Sequence, residues 1–497
     1  MGSYSVDRTM LISRRRILSP LVLALAATAI VVQARVYDWK LDDAYITFAY
    51  ARNWVEGHGI DFNVGERVEG YTCVLWVVLS ALGLWVGFSI EPWSTWLGVT
   101  FAVGSALAAA GLAAELLPAN WRRAAVGAAL LVPLGPPLSW RAASGMETTL
   151  FAFLVTSSFW MHVRTSGRSP WVGVLAALAA LTRPEGWLLG VLLSADALRH
   201  QGRKGVGVGL AFAAIFAPYF AWRVWYYGYL LPNTFYAKVG STAEQVARGW
   251  VYLKLFLWDW GLVLLLASWI PLLTTGWRPL IGIYTFLALY AAYVVSVGGD
   301  VFHFFRFWTP IVPTLCALTY AGVLTMLQRS PIWQDRPLPA AVTVMAACWL
   351  ATSTAKAVSA HLQHRKAENF LVGASTNVCR CLLRKTTADD RIAALGIGVL
   401  KWCSNRHIVD MLGLTDLHIA RYSKVPMGGG LAGHEKYDSR YVLSLKPKYI
   451  LLPPLEPHGL SLPAQRDMWG QPEFLEMYQK DECGYRRKEG AEGLPPP

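Results

Sequence analysis

The chain has 497 residues, of which 54% are hydrophobic and only 15% are charged, and its mean hydropathy is +0.35. Because soluble domains carry about a quarter charged residues, this composition excludes an ordinary set of soluble domains and indicates a membrane protein. The net charge of +13 does not indicate a nucleic-acid partner, since the basic residues cluster between apolar blocks as orientation signals do. The 23 Trp, 21 Tyr and 19 Phe residues are typical of the aromatic belts of membrane proteins.

The first apolar run, Ile17–Val32, follows three arginines and has no cleavage site that leads into a soluble domain. We expect it to be an uncleaved first span with a cytoplasmic N-terminus, which places residues 35–94 in an external loop. The stretch Cys73–Ile90 within this loop is also apolar enough to cross the membrane. A crossing there would place the basic residues of later loops outside, so the positive-inside rule favours a helix in the plane of the outer interface.

Eight further apolar stretches approach the length of about 20 residues that a transmembrane helix needs. They are Thr95–Leu117, Ala124–Trp140, Thr148–Val163, Gly205–Trp222, Leu255–Thr275, Pro279–Val297, Phe307–Leu327 and Pro339–Ala357.

One more stretch, Trp171–Leu198, is interrupted by Arg183, Pro184 and Glu185. A single span would bury two charges near the bilayer centre, at a cost of about 2.5–3.5 kcal/mol for a residue like Arg. We therefore predict two short half-spans that meet at these charges. The total becomes about eleven crossings of the plasma (inner) membrane, and this odd number places the tail, residues 359–497, outside the cytoplasm.

The predicted architecture is a mainly α, polytopic transmembrane domain, residues 1–358, followed by a small extracytoplasmic α/β domain, the tail. Within the tail, RIAALGIGVL and HIVDMLGLTD are typical of strand, turn and helix pieces. The tail cysteines are Cys379, Cys381, Cys403 and Cys483. Their spacing does not suit a metal site, and one or two disulfides are expected, with the pairing left open.

With this topology, the polar residues that do not act as orientation signals collect on the outer side of the membrane. They are Asp42, Asp43, Arg52, Glu66, Arg67, Glu69, Arg141, Glu147, Arg183, Glu185, Asn233, Lys238, Asp300, His303 and Arg306. Charges at membrane depth need partners or a water-filled cavity. An outward-facing polar cavity is therefore the simplest interpretation.

The segment after the first span carries acids that suit general base chemistry, and two later segments carry acids or charges of open function. Asp42 and Asp43 follow the first span, and a carboxylate within reach of an attacking hydroxyl can take its proton. Adjacent acids at the exit of a span are also ordinary interfacial residues or helix caps, and Glu147 in SGMET can serve as a favourable charge at a helix start. In TRPEG, Pro184 disrupts a helix and leaves backbone groups that only protein or water can satisfy, so a functional and a structural role stay open there.

Two later segments suit sugar and phosphate recognition. YYGYLLPNTFYAK supplies aromatic rings with Asn233 and Lys238, which can stack on sugars and hold a phosphate, although an aromatic belt has the same composition. GGDVFHFFRF places Asp300, His303 and Arg306 between two predicted spans. A single Asp–His pair indicates a metal only weakly. The alternative to a metal site is a structural or substrate-facing role for these residues.

Taken together and in this order, the segments resemble the GT-C superfamily of glycosyltransferases that use polyprenyl-phosphate sugars. They are most similar to bacterial terminal arabinofuranosyltransferases of the cell wall. The segments are DDAYITFAYARN, GIDFNVGERVEGYT, ASGMET, LTRPEG, LLPNTFYAK, GGDVFHFFRF and, in the tail, DMLGLTDLHIAR and GHEKYDSRYVL.

The resemblance implies many transmembrane helices, an external loop with in-plane helices and an external C-terminal domain. It also implies that the acidic pair of the first external loop, here Asp42 and Asp43, carries catalysis, with Asp42 as the expected base. The cation that faces the lipid phosphate stays open, because the stretch after the acids offers only Arg52. The residues expected to bind the donor phosphate or sugar are Arg52, Glu69, Glu147, Arg183, Glu185, Asn233, Lys238, Asp300, His303 and Arg306.

The expected function is transfer of a sugar, with arabinofuranose as one candidate, from a polyprenyl phosphate to an envelope glycan, glycolipid or protein outside the cytoplasm. No glycine motif for a nucleotide is present, no cofactor is required, and a divalent cation is compatible with the site. A lipid or glycolipid transporter is the alternative, because many spans with intramembrane charges suit transport too. A glycan-binding assembly partner without catalysis is the third interpretation.

Overall fold

The computed structural model describes residues 8–134, 138–276, 280–301, 304–329, 338–452 and 462–491. Helices dominate the chain up to Lys385, and a small sheet lies in the tail. The helices are α1 (Arg8–Val36), α2 (Asp42–Val55), α3 (Val74–Val86), α4 (Ile90–Leu116), α5 (Gly127–Leu134), α6 (Leu138–Arg141), α7 (Thr148–Thr165), α8 (Trp171–Thr182), α9 (Gly186–Gln201), α10 (Val206–Tyr227), α11 (Asn233–Lys238), α12 (Ala243–Phe256), α13 (Leu262–Ser268), α14 (Ile270–Thr274), α15 (Ile281–Ser296), α16 (Val312–Gln328) and α17 (Leu338–Lys385).

The predicted break at TRPEG is confirmed, because α8 ends at Thr182 and α9 begins at Gly186. The loop predicted to be external contains α2 and α3, and the 13 residues of α3 would extend only about 20 Å at 1.5 Å per residue, too little to cross a bilayer. Two predicted spans are not single straight helices. The stretch 124–140 is divided between α5 and α6, and α12 with its continuation meets the α13–α14 pair at 83°.

Three helical stretches in the described part of the chain are long and apolar enough to cross a membrane, and the bent pair would make a fourth. The shorter apolar helices are Pro20–Val36, Val74–Val86, Trp171–Thr182 and Ile281–Ser296. These helices mark the chain as a membrane protein. The total of about eleven crossings stays a prediction.

Close packing of α4 sets the position of the segment that follows α6. A Cβ atom at Gly98 would lie 2.0 Å from the carbonyl oxygen of Ala142, so only glycine lets α4 approach this segment. Ser144, two residues further on, accepts a hydrogen bond from the backbone N–H of Leu41 over 3.2 Å. The packing therefore brings the ASGMET segment to the start of α2.

Helix α17 connects the two parts of the chain without interruption. Its 48 residues run through the boundary predicted between residues 358 and 359 and continue to Lys385. Near its end, disulfides join Cys379 to Cys403 and Cys381 to Cys483. Both bonds predicted as a possibility are formed, and they fasten the tail to this helix.

The tail is an α/β unit, as predicted. Its strands are β1 (Arg391–Ala394), β2 (His407–Asp410), β3 (Tyr449–Leu451), β4 (Tyr478–Lys480) and β5 (Tyr485–Arg487), and its helices are α18 (Gly398–Ser404), α19 (Leu417–Tyr422), α20 (Ser439–Ser444), α21 (Pro463–Trp469) and α22 (Pro472–Met477). The strand order is β2-β1-β3-β5-β4. The first three strands are parallel and β5 is antiparallel to both neighbours, with Ile392 of β1 opposite Ile408 and Tyr449.

Candidate active site

The start of α2 places the two adjacent acids. Leu41 is extended, and the helix begins at Asp42, so both carboxylates lie in its first turn, where the helix dipole favours negative charge. The rest of α2 is largely buried, which holds this helix end firmly in the protein. The acids therefore have a defined position at the junction between the helical part and the tail.

Asp42 contacts the tail. Its two carboxylate oxygens accept hydrogen bonds from the backbone N–H groups of Gly398 and Val399, each over 2.9 Å, at the start of α18. A Cβ atom at position 398 would lie 1.9 Å from the backbone oxygen of Asp42, so the contact requires glycine. Burial raises the pKa of Asp42, although the two amide groups oppose this shift.

Asp43 has different surroundings. Its side chain is 22% exposed, and one of its oxygens lies 3.9 Å from an Nη1 atom of Arg306. That guanidinium donates from Nη2 to one oxygen of Asp300 over 3.0 Å, and its Nε atom lies 2.8 Å from the other oxygen in an ion pair. Asp43 is therefore a partly exposed acid whose oxygens are not held by the amide groups of α18, and it faces an arginine that pairs with another carboxylate.

The segments SGMET and TRPEG meet in a buried ion triad. Arg183 donates from Nη1 to Glu147 and from Nε to Glu185, each over 2.8 Å, and all three side chains are less than 10% exposed. The triad adjoins the cluster of Asp43, Asp300 and Arg306, which we call the ion cluster. The ring of Phe307 lies beside both, since its centre is 4.9 Å from the guanidinium of Arg183 and 5.2 Å from that of Arg306. Four of the segments singled out in the sequence thus meet at one place: DDAYITFAYARN, SGMET, TRPEG and GGDVFHFFRF.

Three residues expected to bind the donor have other partners in the protein. Arg52 donates to the backbone oxygen of Trp402 over 2.7 Å and to the side chain of Asn405 over 2.8 Å. Asn233 donates to the backbone oxygens of three tail residues, Gly413, Leu414 and Asp416. Both residues fasten the tail to the helical part.

Glu69, the third of these residues, forms a buried ion pair with Arg223 of α10 over 2.7 Å and 2.8 Å. Burial raises the pKa of Glu69 to about 7, and the guanidinium opposes this shift. The backbone oxygen of Glu69 also accepts a hydrogen bond from the backbone N–H of Asn233. Glu69 therefore joins the external loop to the segment before α11.

Lys238 at the end of α11 differs from the arginines of the site. Within the part of the chain that the structure describes, its ammonium group has no acidic partner, and its side chain lies against Gly433 of the tail. His303 lies outside the described residues. The expected roles of the remaining donor-binding residues stay predictions.

The described residues contain one cluster with the spacing of metal ligands, formed by Cys381, Glu482 and Cys483. The two cysteines of this cluster are bonded to each other in a disulfide, so their sulfur atoms are not thiolate ligands. The expectation that catalysis requires no metal stays a prediction.

A cleft of about 460 Å³ lies beside the start of α2, between α1, α4 and α17. Its lining includes Lys40, Tyr45 and Glu91, and the Tyr45 hydroxyl donates to Glu91 over 2.6 Å. Neither Asp42 nor Asp43 lines this cleft. It is therefore separate from the ion cluster around Asp43.

Sequence reasoning missed the contribution of the tail to this site. The amide groups of α18 and the segment Met427–Glu435 both reach the helical part. A run of three glycines before GHEKYD was the available signal, together with the likeness of that segment to the same superfamily.

Comparison with known proteins bears on these predictions. Residues 361–485 match a family described as a domain of unknown function (DUF8728). The chain is 30% identical over 353 residues to a terminal β-(1→2)-arabinofuranosyltransferase of Corynebacterium glutamicum, and the match covers 60% of this chain and 49% of that protein. It is also 30% identical over 252 residues to the Mycobacterium tuberculosis protein of the same name, covering 47% of this chain and 39% of that protein.

The resemblance to terminal arabinofuranosyltransferases is therefore confirmed. The chain spans less than half the length of both relatives. Among solved structures, the fold is similar to ArnT from Cupriavidus metallidurans bound to undecaprenyl phosphate, with a TM-score of 0.53, 14% identity, and 78% and 85% coverage of the two chains. The apo oligosaccharyltransferase of Archaeoglobus fulgidus has a TM-score of 0.52, 12% identity, and 79% and 64% coverage. Like these proteins, the chain has the GT-C fold.

Proposed function

We propose that the chain is a membrane glycosyltransferase that transfers a sugar from a polyprenyl phosphate to a hydroxyl group of an envelope glycan, glycolipid or protein. The observation that carries this proposal is an accessible carboxylate, Asp43, beside an ion cluster at the junction of the helical part and the tail. The 30% identity to arabinofuranosyltransferases supports arabinofuranose as the sugar. The fold likeness to a protein bound to undecaprenyl phosphate supports the lipid carrier.

Asp43 is proposed as the base in place of Asp42, because the backbone amides of α18 occupy both oxygens of Asp42. The proton of the acceptor hydroxyl passes to Asp43 while its oxygen forms a bond to the anomeric carbon of the donor. The bond from that carbon to the phosphate oxygen breaks, and its electron pair leaves with the polyprenyl phosphate. A fixed cation at the site stabilises the charge that develops on the leaving group.

Lys238 is proposed as the cation that holds the donor phosphate. The arginines of the site already pair with Glu147, Glu185 and Asp300, whereas the structure records no acid next to Lys238 in the described ranges. A charged hydrogen bond contributes about 1.5–3 kcal/mol, so Lys238→Met is expected to raise the KM for the lipid donor by about ten- to hundredfold. The KM for the acceptor should not change. Lys480→Met, at an exposed position in β4, is the matched control, and an equal effect of both variants would contradict this role.

We further propose that the tail faces the oxidising side of the inner membrane. The pairs Cys379–Cys403 and Cys381–Cys483 support this orientation, because disulfides persist in extracytoplasmic compartments. Cytoplasmic nucleotide sugars do not reach that side unaided. A polyprenyl chain partitions into the bilayer at about 0.8 kcal/mol per buried CH₂ group and delivers its sugar there.

The test of the function uses the full chain in lipid nanodiscs with a synthetic polyprenyl-phosphate arabinofuranose and an arabinofuranosyl oligosaccharide. We expect mass spectrometry to detect an acceptor that is one pentose heavier, in the presence and in the absence of EDTA. A nucleotide sugar without lipid should give no product. Efficient transfer from the nucleotide sugar would contradict the proposed donor, and a requirement for a divalent cation would contradict the expectation of metal independence.

A further inference from the structure

The segment Met427–Glu435, which we call the glycine loop, is part of the tail but lies on the helical part. The Thr242 hydroxyl donates to the backbone oxygen of Met427 over 2.6 Å. Arg248 of α12 donates from Nη1 to the backbone oxygen of Gly430 and to the carboxylate of Glu435, each over 2.8 Å. Glu435 in turn accepts from the backbone N–H of Gly430 over 3.1 Å. The loop is thus fixed at both ends against α12.

The same helix connects the glycine loop to the ion cluster. Arg248 also donates from Nε to the backbone oxygen of Gly298 over 3.1 Å, and Gln245 donates to that of Val297 over the same distance. Gly298 and Val297 lie two and three residues before Asp300, which pairs with Arg306, and Arg306 faces Asp43. Within the glycine loop, Gly433 packs against the side chain of Lys238, the proposed phosphate-binding residue. The glycine loop therefore adjoins the proposed active site.

His434 is the residue of the glycine loop with chemistry suited to that position. Its Nδ1 atom lies 3.1 Å from the backbone oxygen of Ala432. A carbonyl oxygen only accepts, so Nδ1 carries the proton, and in a neutral ring Nε2 keeps a lone pair. Across the described ranges of the chain, Nε2 has no hydrogen-bond partner. The ring therefore has an unused acceptor.

Burial is the main cause that favours the neutral ring of His434. Burial and the ammonium group of Lys238 lower the pKa of His434, while Asp43 and Asp300 oppose this shift. At neutral pH the side chain is accordingly a hydrogen-bond acceptor at Nε2.

We propose that the tail supplies a substrate-binding residue to the active site, in which Nε2 of His434 accepts a hydrogen bond from a sugar hydroxyl group. A hydroxyl suits this atom because it brings a proton, whereas a phosphate oxygen would meet a lone pair and has Lys238 as its partner. This inference rests on the proposed function and assigns one contact within it. The tail then takes part in recognising the sugar as well as in holding α2.

Two substitutions separate this contact from a structural role. His434→Asn keeps an amide near Nδ1, where it can donate to Ala432, and removes the acceptor, whereas His434→Gln extends an oxygen toward the position of Nε2. A hydrogen bond contributes about 0.5–1.5 kcal/mol, so His434→Asn is expected to lower kcat/KM by about three- to tenfold. His434→Gln should recover part of that loss.

The decisive measurement uses donors and acceptors that each lack one hydroxyl group. With the native chain, we expect kcat/KM for one deoxy substrate to be about three- to tenfold lower than for the complete substrate. With His434→Asn, kcat/KM for that deoxy substrate should be little lower than with the native chain. The proposed contact is wrong if the loss from the missing hydroxyl and the loss from the substitution multiply for every deoxy substrate, both in His434→Asn and in His434→Gln. If transfer itself is present and the losses multiply, only this inference fails, whereas absence of transfer by the native chain would reject the proposed function.

Discussion

Replacing Asp43 with Asn is expected to lower kcat by about 10²–10⁴, the usual contribution of a general base, while the protein keeps its fold. Asparagine has the same shape and cannot take a proton from the acceptor hydroxyl. The carboxylate of Asp43 is 22% exposed and lies 3.9 Å from Arg306, so its removal breaks no close ion pair. Single-turnover assays with the polyprenyl-phosphate sugar would measure the loss in the chemical step, and the melting temperature in detergent should not change.

Asp42→Asn is the matched comparison, one residue away. Its amide can accept from only one of the two N–H groups of Gly398 and Val399, and its own NH₂ group would face the other. We expect a loss of stability of about 1–3 kcal/mol and easier proteolysis of the tail, with a smaller effect on the chemical step. If Asp42→Asn abolishes turnover in a folded protein and Asp43→Asn does not, the base is Asp42.

Arg183→Gln is expected to destabilise the protein by about 3–5 kcal/mol, because it leaves the carboxylates of Glu147 and Glu185 buried without a countercharge. All three side chains are less than 10% exposed, so water cannot replace the guanidinium without a local opening of the structure. Melting in detergent, followed by tryptophan fluorescence, would measure the effect. Arg486→Gln removes an exposed ion pair with Glu489 and should change stability by no more than about 1 kcal/mol.

A triple variant gives the stricter test of this explanation. When Glu147→Gln and Glu185→Gln accompany Arg183→Gln, no uncompensated charge stays buried, and we expect much of the lost stability to return. Recovery of stability without recovery of sugar transfer would mean that the triad also serves the reaction. A triple variant as unstable as Arg183→Gln alone would mean that packing, and not charge, explains the loss.

Local sequence signals predicted the elements that carry the site. The break between α8 and α9 was predictable because Pro184 and two flanking charges cannot continue an apolar helix. The strands around RIAALGIGVL were predictable because short apolar runs alternate with turns. In both cases the physical cause lies within a few residues of its effect.

The direction that each side chain faces was not predictable in the same way. Successive residues of a helix point about 100° apart, so Asp42 and Asp43 face different surroundings although they are adjacent. The partners that distinguish them are distant, since Gly398 lies 356 positions from Asp42. The tail contacts of Arg52 and Asn233 could not be predicted for the same reason, because their partners are 180 or more residues away in sequence. Both residues were therefore expected to bind the donor.

The separation of 356 residues between Asp42 and its amide partner also sets the order in which the two sides of this contact are synthesised. Asp42 leaves the ribosome well before Gly398, and the glycine loop and Cys483 follow later still. Until they arrive, nothing holds the end of α2 against α18. The carboxylate of Asp42 therefore gains its two amide partners only after the helices that precede the tail have been made.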